Sequence, residues 1–132
     1  MKIGELAKLA GVTVSTVHYL ESQGLMLPPP RTATGLRVYD CNASQRLIFI
    51  RQARALGLPL EEIATLLAIT DGSSNGQELA ERSFTYLDSR IARLQKLRRG
   101  VTEALASSEA GLPDRSSPIL EALTEHALPG HS

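Results

Sequence analysis

The chain has 132 residues, of which 42% are hydrophobic and 4% aromatic, with no tryptophan and a formal net charge of zero. This composition is typical of one globular domain with an appendage, and it favours a helical core over a β-sandwich or barrel. No apolar run approaches the ~18 residues of a membrane span, no signal-peptide pattern opens the chain and one cysteine cannot form an internal disulfide, so we expect a cytoplasmic protein without a membrane partner.

The zero net charge hides an asymmetry between the two halves of the chain. Residues 1–60 carry seven basic and three acidic side chains, whereas residues 61–132 carry seven basic and eleven acidic ones. This pattern is consistent with a first half that contacts a polyanion. An unremarkable basic surface is the alternative reading of the charge alone.

The first 24 residues predict two short helices joined by a tight turn. Apolar residues from Ile3 to Ala10 predict one helix that ends at Gly11. Thr13 is a suitable N-cap for a second helix that runs to about Gln23, and Gly24 is suited to closing it. Two helices with a glycine-containing turn predict a helix-turn-helix.

The next segment, residues 27–40, reads "LPPPRTATGLRVYD" and cannot be helical. Its three prolines favour extended backbone, and Gly35 occupies the turn position that requires a positive φ. "LRVY" alternates as a short strand. We therefore predict a two-stranded wing.

Helices account for most of the remaining chain. Asp40 is predicted to cap one that ends at Gly57, and "LPLEEIATLLAI" predicts another, which completes a DNA-binding-type domain over residues 1–70. After a linker at 71–76, a helix over 77–107 carries an apolar seam broken only by Arg98. Its predicted dimerisation residues are Phe84, Leu87, Ile91, Leu94, Val101 and Leu105.

That heptad spacing predicts a coiled coil with a second copy of the same helix, arranged antiparallel. Packing of the seam within one chain is the alternative. Residues 108–132 are predicted to form a loop, a short terminal helix and a tail. The expected fold class is thus all-α with a small two-stranded wing: a winged helix-turn-helix followed by a long dimerisation helix.

This order of elements resembles the MerR (mercury-resistance regulator) family of bacterial transcription factors. The strings that carry the resemblance are "KIGELAKLAGV", "STVHYLESQGLM", "RTATGLRVY", "RLIFIRQARALGLPLEEIATLL" and "SPILEAL". The resemblance implies a winged-helix homodimer that binds double-stranded promoter DNA at a palindromic operator, with RNA polymerase as a partner there. It also implies an effector that docks near the dimerisation helix.

The resemblance assigns DNA contact to one set of residues in the first half of the chain: Lys2, Ser15, Thr16, His18, Tyr19, Arg31, Gly35, Arg37, Tyr39 and Arg54. Recognition helices of the family usually read like "RTIRYYE", whereas this one reads "STVHYLE" and departs at Ser15, His18 and Leu20. With so few cations, we expect weak phosphate anchoring and a shallow dependence of DNA affinity on salt. His18 adds charge only when it is protonated.

In the heavy-metal branch of the family, three cysteines capture soft metal ions. The equivalent positions here are Ser74, Ser108 and Ser117, the last two in the predicted loop. A serine hydroxyl stays protonated at neutral pH and binds soft metals poorly. We therefore expect no thiolate metal site and no cofactor.

Two other kinds of effector chemistry stay open. Oxygen and nitrogen ligands could form a substitute metal site from Glu109, Asp114, His126 and His131. Cys41 could act as a redox thiol, because a helix N-terminus favours the thiolate, although the adjacent Asp40 disfavours it.

The sequence thus predicts a dimeric transcriptional regulator with an unidentified effector. The alternative is a dimerising interaction protein with weakened DNA binding that modulates a related regulator. We do not expect an enzyme, because the three histidines are scattered and the chain has no glycine-rich phosphate loop.

Overall fold

The computed structural model describes residues 1–109 and 117–124, and these contain six helices. They are α1 (Ile3–Ala10), α2 (Val14–Ser22), α3 (Cys41–Ala55), α4 (Leu60–Thr70), α5 (Gly76–Glu109) and α6 (Pro118–Thr124). The chain divides into an N-terminal unit, residues 1–80, and a C-terminal unit, residues 81–132. A search of the described helices finds none with the length and hydropathy of a membrane span.

The predicted helix-turn-helix is confirmed. The side-chain oxygen of Thr13 accepts a hydrogen bond from the backbone N–H of Thr16 (3.1 Å), which satisfies one of the unpaired donors at the start of α2. Gly11 (φ 73°) and Gly24 (φ 75°) both adopt the left-handed conformation that ends a helix. Only glycine adopts it without steric cost, so the sequence alone sets where α1 and α2 end.

One hydrophobic core holds the N-terminal unit together. Helix α1 packs on α2 and α3, and α4 packs on α3. The core residues, each at most 5% exposed, are Leu6, Ala7, Ala10, Val17, Leu20, Leu25, Met26, Tyr39, Leu47, Ile50, Ala53, Ile63 and Leu67. Burying each large aliphatic side chain stabilises the fold by about 2 kcal/mol, so this core dominates the stability of the unit.

The predicted wing is present, but the prediction that it contains two strands is wrong, because its described residues pair at one position only. The described residues of the wing form a single antiparallel bridge between Arg31 and Arg37, closed by a turn with Gly35 at a φ of 82°. Because the N–H of Thr32 donates to the carbonyl oxygen of Leu36 (2.6 Å), the next donor in this register would be the N–H of residue 30, and Pro30 has none. Tyr39 pairs with Met1, through one hydrogen bond in each direction at 2.7 Å.

A mostly buried arginine connects three segments of the N-terminal unit. From α3, Arg46 donates through Nε to the carbonyl oxygen of Leu25 (2.6 Å) and through both terminal nitrogens to the carboxylate of Asp71 (2.8 and 3.1 Å). The hydrogen bonds from Arg46 lower the pKa of Asp71. This bidentate pair fixes the end of α4 against α3.

The C-terminal unit contains most of α5, together with α6. Helix α5 ends at Glu109, later than predicted, so Ser108 lies in its last turn and not in a loop. A side chain on Gly100 would place its Cβ 2.6 Å from the carbonyl oxygen of Pro118. Gly100 therefore allows the start of α6 to pack directly on the α5 backbone.

Replacing Asp71 with Asn is expected to lower the free energy of unfolding by about 1 kcal/mol at pH 7, because Arg46 loses its charged partner. The folded-state pKa of Asp71 is depressed, so its contribution is present above the unfolded value near 3.8 and is lost as the pH falls through the folded value. Thermal unfolding of the Asp71→Asn and parent proteins should therefore converge in acid. The matched control is Asp88→Asn at an exposed position of α5; an equal decrease in stability there would contradict the assignment.

Candidate nucleic-acid interface

Helix α2 presents one exposed polar face, and its other face is in the core. Ser15, His18 and Tyr19 are exposed, whereas Val17 and Leu20 are buried. Leu20 therefore belongs to the core, and its departure from the family pattern removes no DNA-facing side chain. On the helical periodicity, His18 and Thr16 mark opposite edges of the exposed face.

The edge marked by His18 borders a basic cleft of about 510 Å³, which we call the wing cleft. Its lining combines four basic side chains with the turn of the wing: Lys2, Ile3, His18, Arg31, Gly35, Leu36, Arg37 and Tyr39. Arg31 donates to the carbonyl oxygen of Gly35 (2.9 Å), which ties its guanidinium to the turn. Most of the residues predicted to contact DNA are thus brought together in this one cleft.

A single acidic side chain lies beside the wing cleft. One carboxylate oxygen of Glu21 accepts a hydrogen bond from the hydroxyl of Tyr39 (3.1 Å) and lies 3.9 Å from the guanidinium of Arg37. The other lies 3.4 Å from Nδ1 of His18. Glu21 was not predicted as a site residue, because two of its three partners, Arg37 and Tyr39, lie in a segment distant in sequence.

The structure corrects the predicted role of Tyr39. Only 1% of this residue is exposed, so its side chain lies beneath the cleft and cannot project into a DNA groove. Burial, and then the hydrogen bond to Glu21 and its charge, raise the pKa of Tyr39, while Arg37 opposes the shift. The phenol therefore stays protonated at neutral pH and remains a donor to Glu21.

The edge marked by Thr16 borders a second cleft of about 310 Å³, which we call the turn cleft. It is lined by the turn between α1 and α2 and by α3: Gly11, Val12, Thr13, Thr16, Leu20, Leu47, Ile50, Arg51 and Arg54. Arg54 was predicted from the resemblance, whereas Arg51 was missed. Its position one turn before Arg54 on the same helix was the available signal.

The two clefts place cations on both sides of the exposed face of α2. An α-helix fits the major groove of B-DNA, whose two edges are the phosphate backbones. Arginine forms bidentate, permanently charged hydrogen bonds with phosphate oxygens. The arrangement can therefore bind one backbone in each cleft while Ser15 and Tyr19 face the base edges between them.

The positions equivalent to the metal ligands of the family fall in three different segments of the chain. Ser74 lies between α4 and α5, Ser108 lies within α5, and the hydroxyl of Ser117 accepts a hydrogen bond from the N–H of Leu120 (3.2 Å) at the start of α6. Over residues 1–109 and 117–124, no three His, Cys, Asp or Glu side chains are grouped so as to hold a metal ion.

The candidates for other effector chemistry are only partly described. Asp114, His126 and His131 lie outside the described residues, as does the side chain of Glu109. Cys41 is the first residue of α3 and is exposed. Its reactivity remains a prediction.

Comparison with known proteins identifies the family of the chain. The family model "MerR HTH family regulatory protein" matches residues 1–69, and the model "MerR, DNA binding" matches residues 44–104. The HTH-type transcriptional regulator ZntR of Escherichia coli K12 is 39% identical over 135 aligned residues, which cover 96% of this chain and 94% of that protein.

Solved structures with the same fold include regulators bound to a metal ion and to DNA. The transcription regulator PbrR691 of Ralstonia metallidurans CH34, in complex with lead(II), is 34% identical with a TM-score of 0.52, over 93% of this chain and 98% of that one. HiNmlR, a MerR family regulator bound to promoter DNA, has a TM-score of 0.62 over 84% of this chain and 94% of that one; at 19% identity this likeness shows the fold alone. The chain belongs to the MerR family and is a DNA-binding transcriptional regulator.

Proposed function

We propose that this regulator acts as a homodimer on a palindromic promoter operator, with α2 of each copy in a major groove. The observation that carries the proposal is the pair of basic clefts on either side of the exposed face of α2. A second copy related by two-fold symmetry would present the same surface to the other half-site, which accounts for a palindromic target.

The exposed seam of α5 supports the homodimer. Phe84, Leu94 and Leu105 are 70%, 56% and 60% exposed, and Ile91 and Val101 are also exposed. Leu87 alone of the predicted seam is partly buried. Because burial of apolar area drives association, an apolar stripe this long favours pairing with the same stripe of a second copy.

The remaining parts of the function rest on family membership and on the residues present. We propose RNA polymerase at the promoter as the partner whose activity the regulator controls, and the cytoplasm as the place where it acts. We further propose that soft-metal sensing through thiolates is absent, because serines occupy the three positions. The relatives are transcriptional regulators and not enzymes, and we propose no catalytic activity for this chain.

The wild-type protein is expected to bind a duplex of its own upstream promoter more tightly than a scrambled duplex in a fluorescence-anisotropy titration. Arg37→Ala and Arg54→Ala should each weaken binding to both duplexes, and each should reduce the slope of log K against log salt by about one for every phosphate that the variant no longer binds. The control is Lys96→Ala, which removes one positive charge from α5, outside both clefts, and should leave DNA binding unchanged. Equal affinity of the wild-type protein for both duplexes at physiological salt would refute the operator proposal.

The Leu94→Glu variant is expected to be monomeric, because it places a charge in the apolar seam that would be desolvated in the dimer. Light scattering at a series of concentrations measures the molar mass of the variant and of the wild-type protein. Gln95→Glu adds the same charge at the next residue, outside the predicted seam, and should leave the dimer intact. A stable Leu94→Glu dimer would place the interface elsewhere.

Titration calorimetry with zinc, cadmium and lead is expected to show no tight binding to the wild-type protein, since no cysteine occupies the three ligand positions. The combined variant Ser74→Cys, Ser108→Cys and Ser117→Cys should gain affinity for these ions. A Cys41→Ser background removes any contribution from the native thiol. Tight soft-metal binding by the wild-type protein would show that other ligands form a site.

A further inference from the structure

The carboxylate of Glu21 lies between the recognition helix and the wing, and its role in DNA binding is not explained by phosphate contact. Its partners come from three segments. His18 belongs to α2, Arg37 is one side of the isolated bridge of the wing, and Tyr39 lies between the wing and α3. One carboxylate thus contacts every segment that surrounds the wing cleft except α1.

The carboxylate of Glu21 is buried, so its contacts with His18, Arg37 and Tyr39 are shielded from water and restrain these side chains. Its side chain is only 9% exposed, and one of its oxygens, Oε1, is buried without a hydrogen bond to the described residues. A buried carboxylate oxygen without a donor is costly, and Nδ1 of His18 is 3.4 Å from it. The imidazole is therefore drawn toward Glu21 on one side, while 59% of the His18 side chain remains exposed.

Among the described residues, the side-chain hydrogen bond and ion pair between the wing and α2 are those with Glu21, while Tyr39 is also held by the core and by its backbone pairing with Met1. The backbone of the described wing residues forms one isolated bridge, between Arg31 and Arg37, instead of a ladder. The hydroxyl of Tyr39 and the guanidinium of Arg37 both approach the carboxylate of Glu21, at 3.1 and 3.9 Å. Removal of the carboxylate would leave the spacing between His18 and Arg37 less defined.

The charge of Glu21 also opposes the binding of any polyanion. Its carboxylate lies within 4 Å of His18, Arg37 and Tyr39, which line the wing cleft, and Lys2, Arg31 and Arg37 supply positive charge to that lining. A negative charge within 4 Å of Arg37 lowers the attraction of the cleft for phosphate in every duplex, whatever its sequence.

We propose that Glu21 is a positioning residue for DNA recognition, which fixes the wing against α2 and so increases discrimination in favour of the operator, while its charge weakens binding to all DNA. The discrimination part rests on the proposed operator function. Phosphate contacts supply affinity without sequence information, whereas base contacts require α2 and the wing to be in one register. The charge of Glu21 lowers the affinity for both duplexes alike, so the ratio of the two affinities rises only through the register that Glu21 maintains.

The test compares the wild-type protein with Glu21→Gln, which keeps the size of the side chain and an acceptor for Tyr39 but removes the charge. Anisotropy titrations use the promoter duplex and a scrambled duplex of equal length at the same salt. We expect the scrambled duplex to bind about threefold more tightly and the ratio of affinities to fall about tenfold, within the range that a single mismatched base pair covers. An unchanged ratio, or weaker binding of the scrambled duplex, would overturn the proposal.

A second variant separates positioning from charge. Tyr39→Phe keeps the ring in the core and the charge of Glu21 but removes the 3.1 Å hydrogen bond. It should lower the ratio about threefold through weaker operator binding alone, with the scrambled duplex unaffected. A ratio equal to that of the wild-type protein would overturn the positioning role, and this variant carries the test if Glu21→Gln does not fold.

The control is Glu5→Gln, which removes one exposed negative charge from α1 and should leave the ratio unchanged. A fall in the ratio equal to that of Glu21→Gln would attribute the effect to net charge and overturn the proposal. If the wild-type protein shows no operator preference, the operator function fails. The scrambled-duplex measurement then still decides whether the charge of Glu21 opposes DNA binding.

Discussion

The burial of Val17 and Leu20 is the constraint on which the rest of the N-terminal unit depends. These two side chains hold one face of α2 in the core with residues of α1 and α3. Because the helix has a period of 3.6 residues, burial of that face leaves Ser15, His18 and Tyr19 exposed on the other. The same packing brings Arg51 and Arg54 of α3 to one edge of the exposed face.

Around this helix, the wing is held by side chains more than by backbone pairing. Pro30 has no N–H to continue the ladder, whereas the backbone of Tyr39 pairs with Met1 and its hydroxyl reaches Glu21. Tyr39, at the base of the wing, is thus held by the core, by Met1 and by Glu21. The residues predicted to contact DNA are otherwise separate from those of the core, since Tyr39 is the one residue common to both sets.

The C-terminal unit differs from the N-terminal unit in that most apolar side chains of the α5 seam are exposed and not buried in a core. The seam of α5 buries little within the chain, and Gly100 allows α6 to pack directly on the α5 backbone. The proposed homodimer combines a DNA-binding unit that has its own core with a helix whose apolar seam a second copy covers. The distribution of exposed apolar side chains reflects that division.

The sequence by itself determined the local structure of this protein. Thr13, Asp40 and the glycines at positions 11, 24 and 35 set the helix ends and the turn, since caps and positive φ angles depend on neighbouring residues only. The apolar periodicity likewise predicted the helices, and the family resemblance identified most of the residues of the wing cleft.

Only the tertiary structure decided how these elements form a site. It places the side chain of Tyr39 in the core, replaces the two predicted strands with one bridge, and adds Glu21 and Arg51 to the candidate interface. Contacts such as those of Glu21 with Arg37 and Tyr39 join residues sixteen and eighteen positions apart. No local pattern encodes them, because they exist only once the core has fixed the distance between α2 and the wing.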